Sequence, residues 1–204
     1  MGEQGERGDG VPGSTEGSDA ELLRRCRTAQ RAGGEAFAAL YRRHAGPLLA
    51  FLRGMLGEEH GARDALQETF LRLHRALPEL DPGRPLRPWL FRVARNASLD
   101  ALKRRGAKSE VPHEPAALAA LGPRDPRPGP PDVAQRREAA ALLRGAALAL
   151  PEDERAVFLL RHDRGLSFEE VAEALGCSLR TAKYRMKAAL EALGREAERL
   201  GVRG

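Results

Sequence analysis

Apolar residues in this chain recur at steps of three and four, which predicts helices and an all-α fold. Between Asp19 and about Arg105, the residues Phe37, Leu40, Tyr41, Leu48, Phe51, Leu52, Met55 and Leu56 follow that spacing, and Gly46-Pro47 predicts a kink or break within it. Gly57 to Gly61 reads as a turn. Beyond it Ala62, Leu66, Thr69, Phe70, Leu73 and Leu77 line one face of a second long helix, whose opposite face carries Asp64, Gln67, Glu68, Leu71 and Arg75. These elements make a helix hairpin or small bundle.

The stretch from Pro78 to Pro88 is too rich in proline for a helix and reads as a stiff loop leading into a helix at Trp89. On that helix Leu90, Val93, Ala94, Ala97 and Ala101 share the packing side, whereas Arg92, Asn96, Leu99 and Lys103 stack opposite. Seven prolines between Gly106 and Pro131 favour an extended, polyproline-like linker. Asp132 then caps a helix running to about Leu150, Pro151 opens another and Gly165 closes it. Ser167-Phe168-Glu169-Glu170 fits a capping box. Phe168, Val171, Ala172 and Leu175 form the stripe of the helix that follows, Gly176-Cys177-Ser178 makes a tight turn, and Leu179, Ala182, Met186, Ala189, Leu190 and Leu193 line the next helix. This is a helix-turn-helix reading, with small Ala172 permitting close crossing and Gly176 the turn. Two small helical domains, residues 19–105 and 132–204, follow from the pattern, joined by a Pro/Gly-rich linker at 106–131.

Residues 1–18 are Gly, Glu and Ser with almost nothing apolar, the composition of a disordered tail. In 204 residues, 34 Lys+Arg stand against 29 Asp+Glu for a net charge of +5, an excess that permits polyanion binding without showing it. Cys26 and Cys177 have no second cysteine or histidine pair at metal spacing, so neither a disulfide framework nor a zinc site is expected. The N-terminus has no basic region followed by an apolar run, and no apolar stretch is long enough to span a bilayer, so the expectation is a soluble, cytoplasmic protein without membrane insertion.

Two basic helical segments carry the candidate chemistry. After Gly176 the outer face holds Arg180, Lys183, Tyr184 and Lys187, flanked by Thr181 and Arg185. An arginine near the start of a recognition helix makes two hydrogen bonds to a guanine in the major groove, while lysine chiefly neutralises phosphate. At Trp89 a stiff loop meets an aromatic and an Arg/Asn stripe, a combination suited to unpaired bases that stack and expose their edges. The carboxylates Asp64, Glu68, Glu152, Asp153, Glu154, Glu169 and Glu170 stand in first helical turns or on outer faces, where capping accounts for them. No phosphate loop, G-x-S-x-G or H-E-x-x-H is present, so no catalytic residue, metal or cofactor is expected.

In order along the chain, Ala36-Phe37-Ala38-Ala39-Leu40-Tyr41-Arg42-Arg43-His44, Asp64-Ala65-Leu66-Gln67-Glu68-Thr69-Phe70-Leu71-Arg72, Pro88-Trp89-Leu90-Phe91-Arg92-Val93-Ala94-Arg95-Asn96, Leu150-Pro151-Glu152-Asp153-Glu154-Arg155 and Gly165-Leu166-Ser167-Phe168-Glu169-Glu170-Val171-Ala172 resemble the extracytoplasmic-function (ECF) sigma factors, over most of residues 20–195. The resemblance implies that the N-terminal domain is sigma region two and the C-terminal domain region four. It implies that Asp64, Gln67, Glu68, Leu71 and Arg75 dock on the clamp helices of the largest subunit of core RNA polymerase, with the flap as a further contact. Trp89, Arg92, Arg95, Asn96 and Lys103 would hold the melted minus-ten promoter strand, with Asn96 at a flipped base. Ser178, Arg180, Thr181, Lys183, Tyr184, Arg185 and Lys187 would read the minus-thirty-five duplex. The linker would thread toward the RNA exit path, and a separate anti-sigma factor would be the regulator. Tyr184 stands where family members often have a small residue, so promoter preference does not carry over.

Two other readings fit parts of the pattern. A free-standing helix-turn-helix regulator would use residues 20–105 for dimerisation or effector binding, and an adaptor would hold a protein partner without DNA recognition. Neither accounts for the Trp89 to Asn96 segment and its proline loop.

Overall fold

The computed structural model describes residues 17–27, 31–106 and 145–199. The expected tail before residue 17, the linker from residue 107 and the helix start at Asp132 lie outside them. Among the described residues the chain forms helices and turns without a strand: α1 (Asp19–Cys26), α2 (Arg31–Leu56), α3 (Glu59–Ala76), α4 (Leu86–Gly106), α5 (Glu152–Phe158), α6 (Phe168–Leu175) and α7 (Leu179–Arg199).

Order begins one residue earlier than composition suggests. Ser18 is the N-cap of α1, its Oγ accepting from the Glu21 amide, and the carbonyl of Gly17 accepts from Arg43 at 2.7 Å. Leu22 and Leu23 of α1 are buried against α2. Asp19 meets Arg43 at 2.6 Å and His44 at 2.9 Å, which fixes the start of α1 to the middle of α2.

Gly46-Pro47 does not divide α2, which runs continuously for 26 residues with Pro47 inside it. Proline has no amide to offer the carbonyl one turn back, but Leu40, Leu48, Phe51, Leu52 and Met55 are buried on both sides of it, and that packing carries the helix through the local defect. The turn after α2 is shorter than Gly57 to Gly61. Gly57 takes a left-handed φ of 72°, Glu58 already caps α3, and Gly61 is helical. On α3 the inner face is the expected one, with Ala62, Leu66, Thr69, Phe70, Leu73 and Leu77 all buried; Thr69 satisfies its hydroxyl on the Ala65 carbonyl at 2.7 Å.

The helix expected from Trp89 starts three residues earlier, at Leu86, with Pro88 in its first turn, where a missing amide costs nothing. Phe91 packs edge-on against Phe51 of α2, ring centroids 5.4 Å apart. Ser98, absent from the predicted packing side, is fully buried, while Val93 and Ala101 are half-buried.

In the C-terminal half, α5 widens into a π-helical turn over Leu159–Asp163, and Gly165 (φ 66°) ends it. The capping box at Ser167 forms with both bonds, Glu170 amide to Ser167 Oγ at 3.1 Å and Ser167 amide to Glu170 Oε2 at 2.7 Å. Gly176 (φ 62°) makes the turn between α6 and α7. On α7 Ala182, Ala189 and Leu193 are buried as expected, but Leu179 and Leu190 are exposed. At 21 residues α7 outlasts the eight-residue α6 that it crosses, so nothing in α6 reaches the level of Leu190.

The helices before and after the linker pack on each other: α4 lies against α6, and the end of α2 meets α5 and its π turn. Gly54 makes this approach possible, since a Cβ there would stand 2.7 Å from Leu159 Cδ1, and Leu159 is itself buried. Beside it the buried Arg155 donates to the carbonyls of Met55 (2.6 Å), Leu148 (2.5 Å) and Leu150 (2.9 Å), capping the open end of α2 from the other half of the chain.

Candidate nucleic-acid interface

Three surfaces hold the expected site residues. The first is the outer face of α7. Ser178 caps the helix, its Oγ 3.0 Å from the Thr181 amide and 2.8 Å from the Thr181 hydroxyl, so both hydroxyls are engaged at the helix start. Arg180, Lys183, Tyr184 and Lys187 are exposed, Tyr184 at 71%. An aromatic this open is unusual in a soluble protein and buries no core surface. Lys183 stands 5.9 Å from the Phe168 ring centroid and Arg161 5.2 Å from it, so two cations flank one ring at the α6 end of the turn. Arg185 is half-buried and paired with Asp153 of α5.

The second surface is α4 with the loop before it. Arg92, Asn96 and Lys103 are exposed, while Trp89 and Arg95 are half-buried. The loop is held by Arg27, which donates through Nε to the Leu77 carbonyl at 3.1 Å and through Nη2 to the Leu80 carbonyl. An Asp81 side chain bonded to the Gly83 amide at 2.8 Å closes its tip. Loop and helix together wall a hollow of about 630 Å³ that includes Glu79, Asp81, Arg84, Trp89, Arg92 and Glu173. The sequence points to Trp89 and Arg92 but not to Arg27, Glu79, Asp81 or Arg84; the Asp81-Pro82-Gly83-Arg84 turn signature was the available sign that this loop is shaped rather than merely stiff.

The two basic helices, expected to address separated stretches of nucleic acid, are joined here. Arg92 donates to the Glu173 carbonyl near the end of α6, from Nε at 3.1 Å and from Nη2. Arg95 and Arg185 bind the two oxygens of one carboxylate, that of Asp153. Arg87 reaches the Arg164 carbonyl. Asp153 and Glu173 were not among the expected site residues.

The third surface is the outer face of α3. Gln67, Leu71 and Arg75 are exposed, Asp64 is paired with His60 at 3.1 Å, and Glu68 with Arg72 at 2.7 Å. Leu71 is 44% exposed and stands between two hollows. One, of about 540 Å³, is apolar and holds Phe37, Tyr41 and Phe70; the other, of about 740 Å³, is polar and holds Asp64, Glu68, Asp100 and Arg104. A greasy ridge between an apolar and a charged trough suits a protein partner better than a nucleic acid.

No group of three His, Cys, Asp or Glu side chains able to hold a metal ion occurs among the described residues. No helix among them is long and apolar enough to cross a membrane.

Comparison with known proteins gives the same layout. Residues 40–108 match the family described as Sigma-70 region 2, and residues 140–193 match Sigma-70, region 4. The ECF RNA polymerase sigma factor SigL of Mycobacterium tuberculosis is 34% identical over 170 residues, 80% of this chain and 90% of its own. The ECF RNA polymerase sigma factor SigE of Mycolicibacterium smegmatis is 31% identical over 159 residues, 78% of this chain but 60% of its own length. Among solved structures, CnrH in complex with the cytosolic domain of CnrY is similar, with a TM-score of 0.63 and 25% identity across 88% of this chain and 97% of that one.

Proposed function

Because this chain belongs to the ECF family of RNA polymerase sigma factors, we propose that it is a promoter-specificity subunit whose surfaces divide the work of initiation among three helices. Residues 19–105 act as region two and residues 132–204 as region four. The outer face of α3, centred on Leu71 with Asp64, Gln67, Glu68 and Arg75, docks on the clamp helices of core polymerase. Region four adds the flap contact. Trp89, Arg92, Arg95, Asn96 and Lys103 take the unpaired minus-ten strand, with the walled hollow beside Trp89 receiving a base. Ser178, Arg180, Thr181, Lys183, Tyr184, Arg185 and Lys187 read the minus-thirty-five duplex, Arg180 by bidentate contact to a base and the lysines by phosphate neutralisation.

The observation that carries this reading is the pairing of a capped, exposed basic recognition helix with a second Arg/Asn helix bordering a hollow. A free-standing helix-turn-helix regulator needs the first and leaves the second without work. The chain itself performs no catalytic step and acts in the cytoplasm, where core polymerase and promoter DNA meet. The complex of CnrH with a second protein supports an anti-sigma partner for this chain as well.

Run-off transcription with core polymerase, with and without this protein, tests the proposal. Discrete promoter-dependent products from a genomic library are the expected result, and their absence with active core rejects it.

A further inference from the structure

We propose that this protein, when free of polymerase, is latched shut by Asp153, whose single carboxylate holds one arginine from each of the two DNA-reading helices, and that release of this latch admits DNA. The inference rests on reading α4 and α7 as the DNA-contacting helices. Arg95 of α4 occupies Oδ1 of Asp153 and Arg185 of α7 occupies Oδ2, so both oxygens are spoken for. A guanidinium committed to a carboxylate in this way is not offering the same donors to phosphate. Arg92 is engaged as well, on the Glu173 carbonyl, and that contact brings Glu173 to the edge of the hollow beside Trp89. An anionic strand entering the hollow meets a carboxylate there. The same set of contacts therefore engages arginines on both helices and puts negative charge at the entrance between them.

The closed arrangement has a defined register but a weak hold. Gly54 against Leu159 and the buried Arg155 under α2 fix how the halves meet. Asp153 itself is about one-third exposed and its two partners about one-quarter or less, the range in which an ion pair contributes on the order of 1 kcal/mol. Against this, the Nε atoms of Arg95, Arg155 and Arg164 are buried with no hydrogen-bond partner. Each such donor opposes closure. A junction that is geometrically specific and energetically slight is one that a larger partner can open, and the observed DNA affinity of the free protein is scaled down by its open fraction.

Asp153→Asn removes the shared charge at constant volume, and Gly54→Val wedges the junction from the α2 side. Three readouts apply to the full-length protein without polymerase: affinity for promoter duplex in a low-salt filter or gel assay, radius of gyration by small-angle scattering, and emission of Trp89, the chain's one tryptophan. Both variants should bind duplex about tenfold tighter than the parent, the gain set by the parent's open fraction, with a larger radius and red-shifted emission. Glu154→Gln, which deletes the same charge one residue along, should change none of these. Parent-like binding and radius in Asp153→Asn, or an equal gain in Glu154→Gln, overturns the latch. If Gly54→Val loses its helical circular dichroism, Asp153→Asn alone decides. Failure of the functional reading is separate: it shows as missing run-off product from the parent with core, while radius and Trp89 emission still report whether the latch exists.

Discussion

Arg155 leaves the first turns of α5 and donates to the carbonyl of Met55 at 2.6 Å, closing the end of a helix that lies 100 residues earlier in the chain. Burial lowers its pKa, as it must for a cation taken from water, and three carbonyls offset the cost by accepting from one fork of donors. Arg155→Ala should therefore lower unfolding free energy by about 2–4 kcal/mol in urea titrations, through the lost charged hydrogen bonds and the void left behind. Arg155→Lys should recover little of it, because an ammonium cannot reach three carbonyls from one plane.

Acid should loosen the joint between α1 and α2. Burial of Asp19 acts to raise its pKa, but hydrogen bonds and opposite charge from His44 and then Arg43 outweigh it, leaving the carboxyl below its ordinary value. A depressed acid contributes stability that is present above its unfolded pKa and lost as pH falls through the folded one. Stability should thus drop below about pH 4, and Asp19→Asn should be less stable at neutral pH yet show a smaller acid-side drop. Urea midpoints across that range measure both.

Leu71 is exposed and supports no core, so Leu71→Ala should shift folding stability by less than about 0.5 kcal/mol. If it is the ridge on which polymerase closes, affinity for core should fall by about 1–2 kcal/mol, the scale of a modest interface hot spot. Fluorescence anisotropy with labelled protein and core enzyme reads the loss directly.

On α7 the two kinds of cation should separate. Arg180→Ala should cost about 1–3 kcal/mol at the upstream element and relax base preference at one position, whereas Lys187→Ala should weaken all sequences alike and reduce the slope of affinity against salt by about one. Competition binding of duplex variants by the polymerase complex at several salt concentrations distinguishes these outcomes. Unchanged base preference in Arg180→Ala removes it as a reader.

What the sequence made legible was local. The capping box at Ser167 is two bonds within four residues, and the inner face of α3 is one periodic stripe, so both could be read without knowing the rest of the fold. Pro47 misled because its local penalty is set against burial on either side of it, a quantity that depends on α1, α3 and α4. Leu190 misled because its spacing fits a stripe whose partner helix ends too soon. Asp153, Arg155 and Glu173 were illegible as a group. In sequence they are ordinary charged residues in short helices; their roles come from Met55, Arg92 and Arg95, at least 58 positions away.

The widened turn at Leu159–Asp163 gives this protein a sensitive point for insertions and deletions. It holds one residue more per turn than the helix it interrupts, so losing a single residue there would regularise the coil and rotate everything downstream by about 100°. Gly165, α6 and the head of α7 would swing together, carrying Glu173 off the side of α4. Substitutions in this stretch should be absorbed far more readily than a change of length, because the orientation of the whole C-terminal reading head is counted out in those five residues.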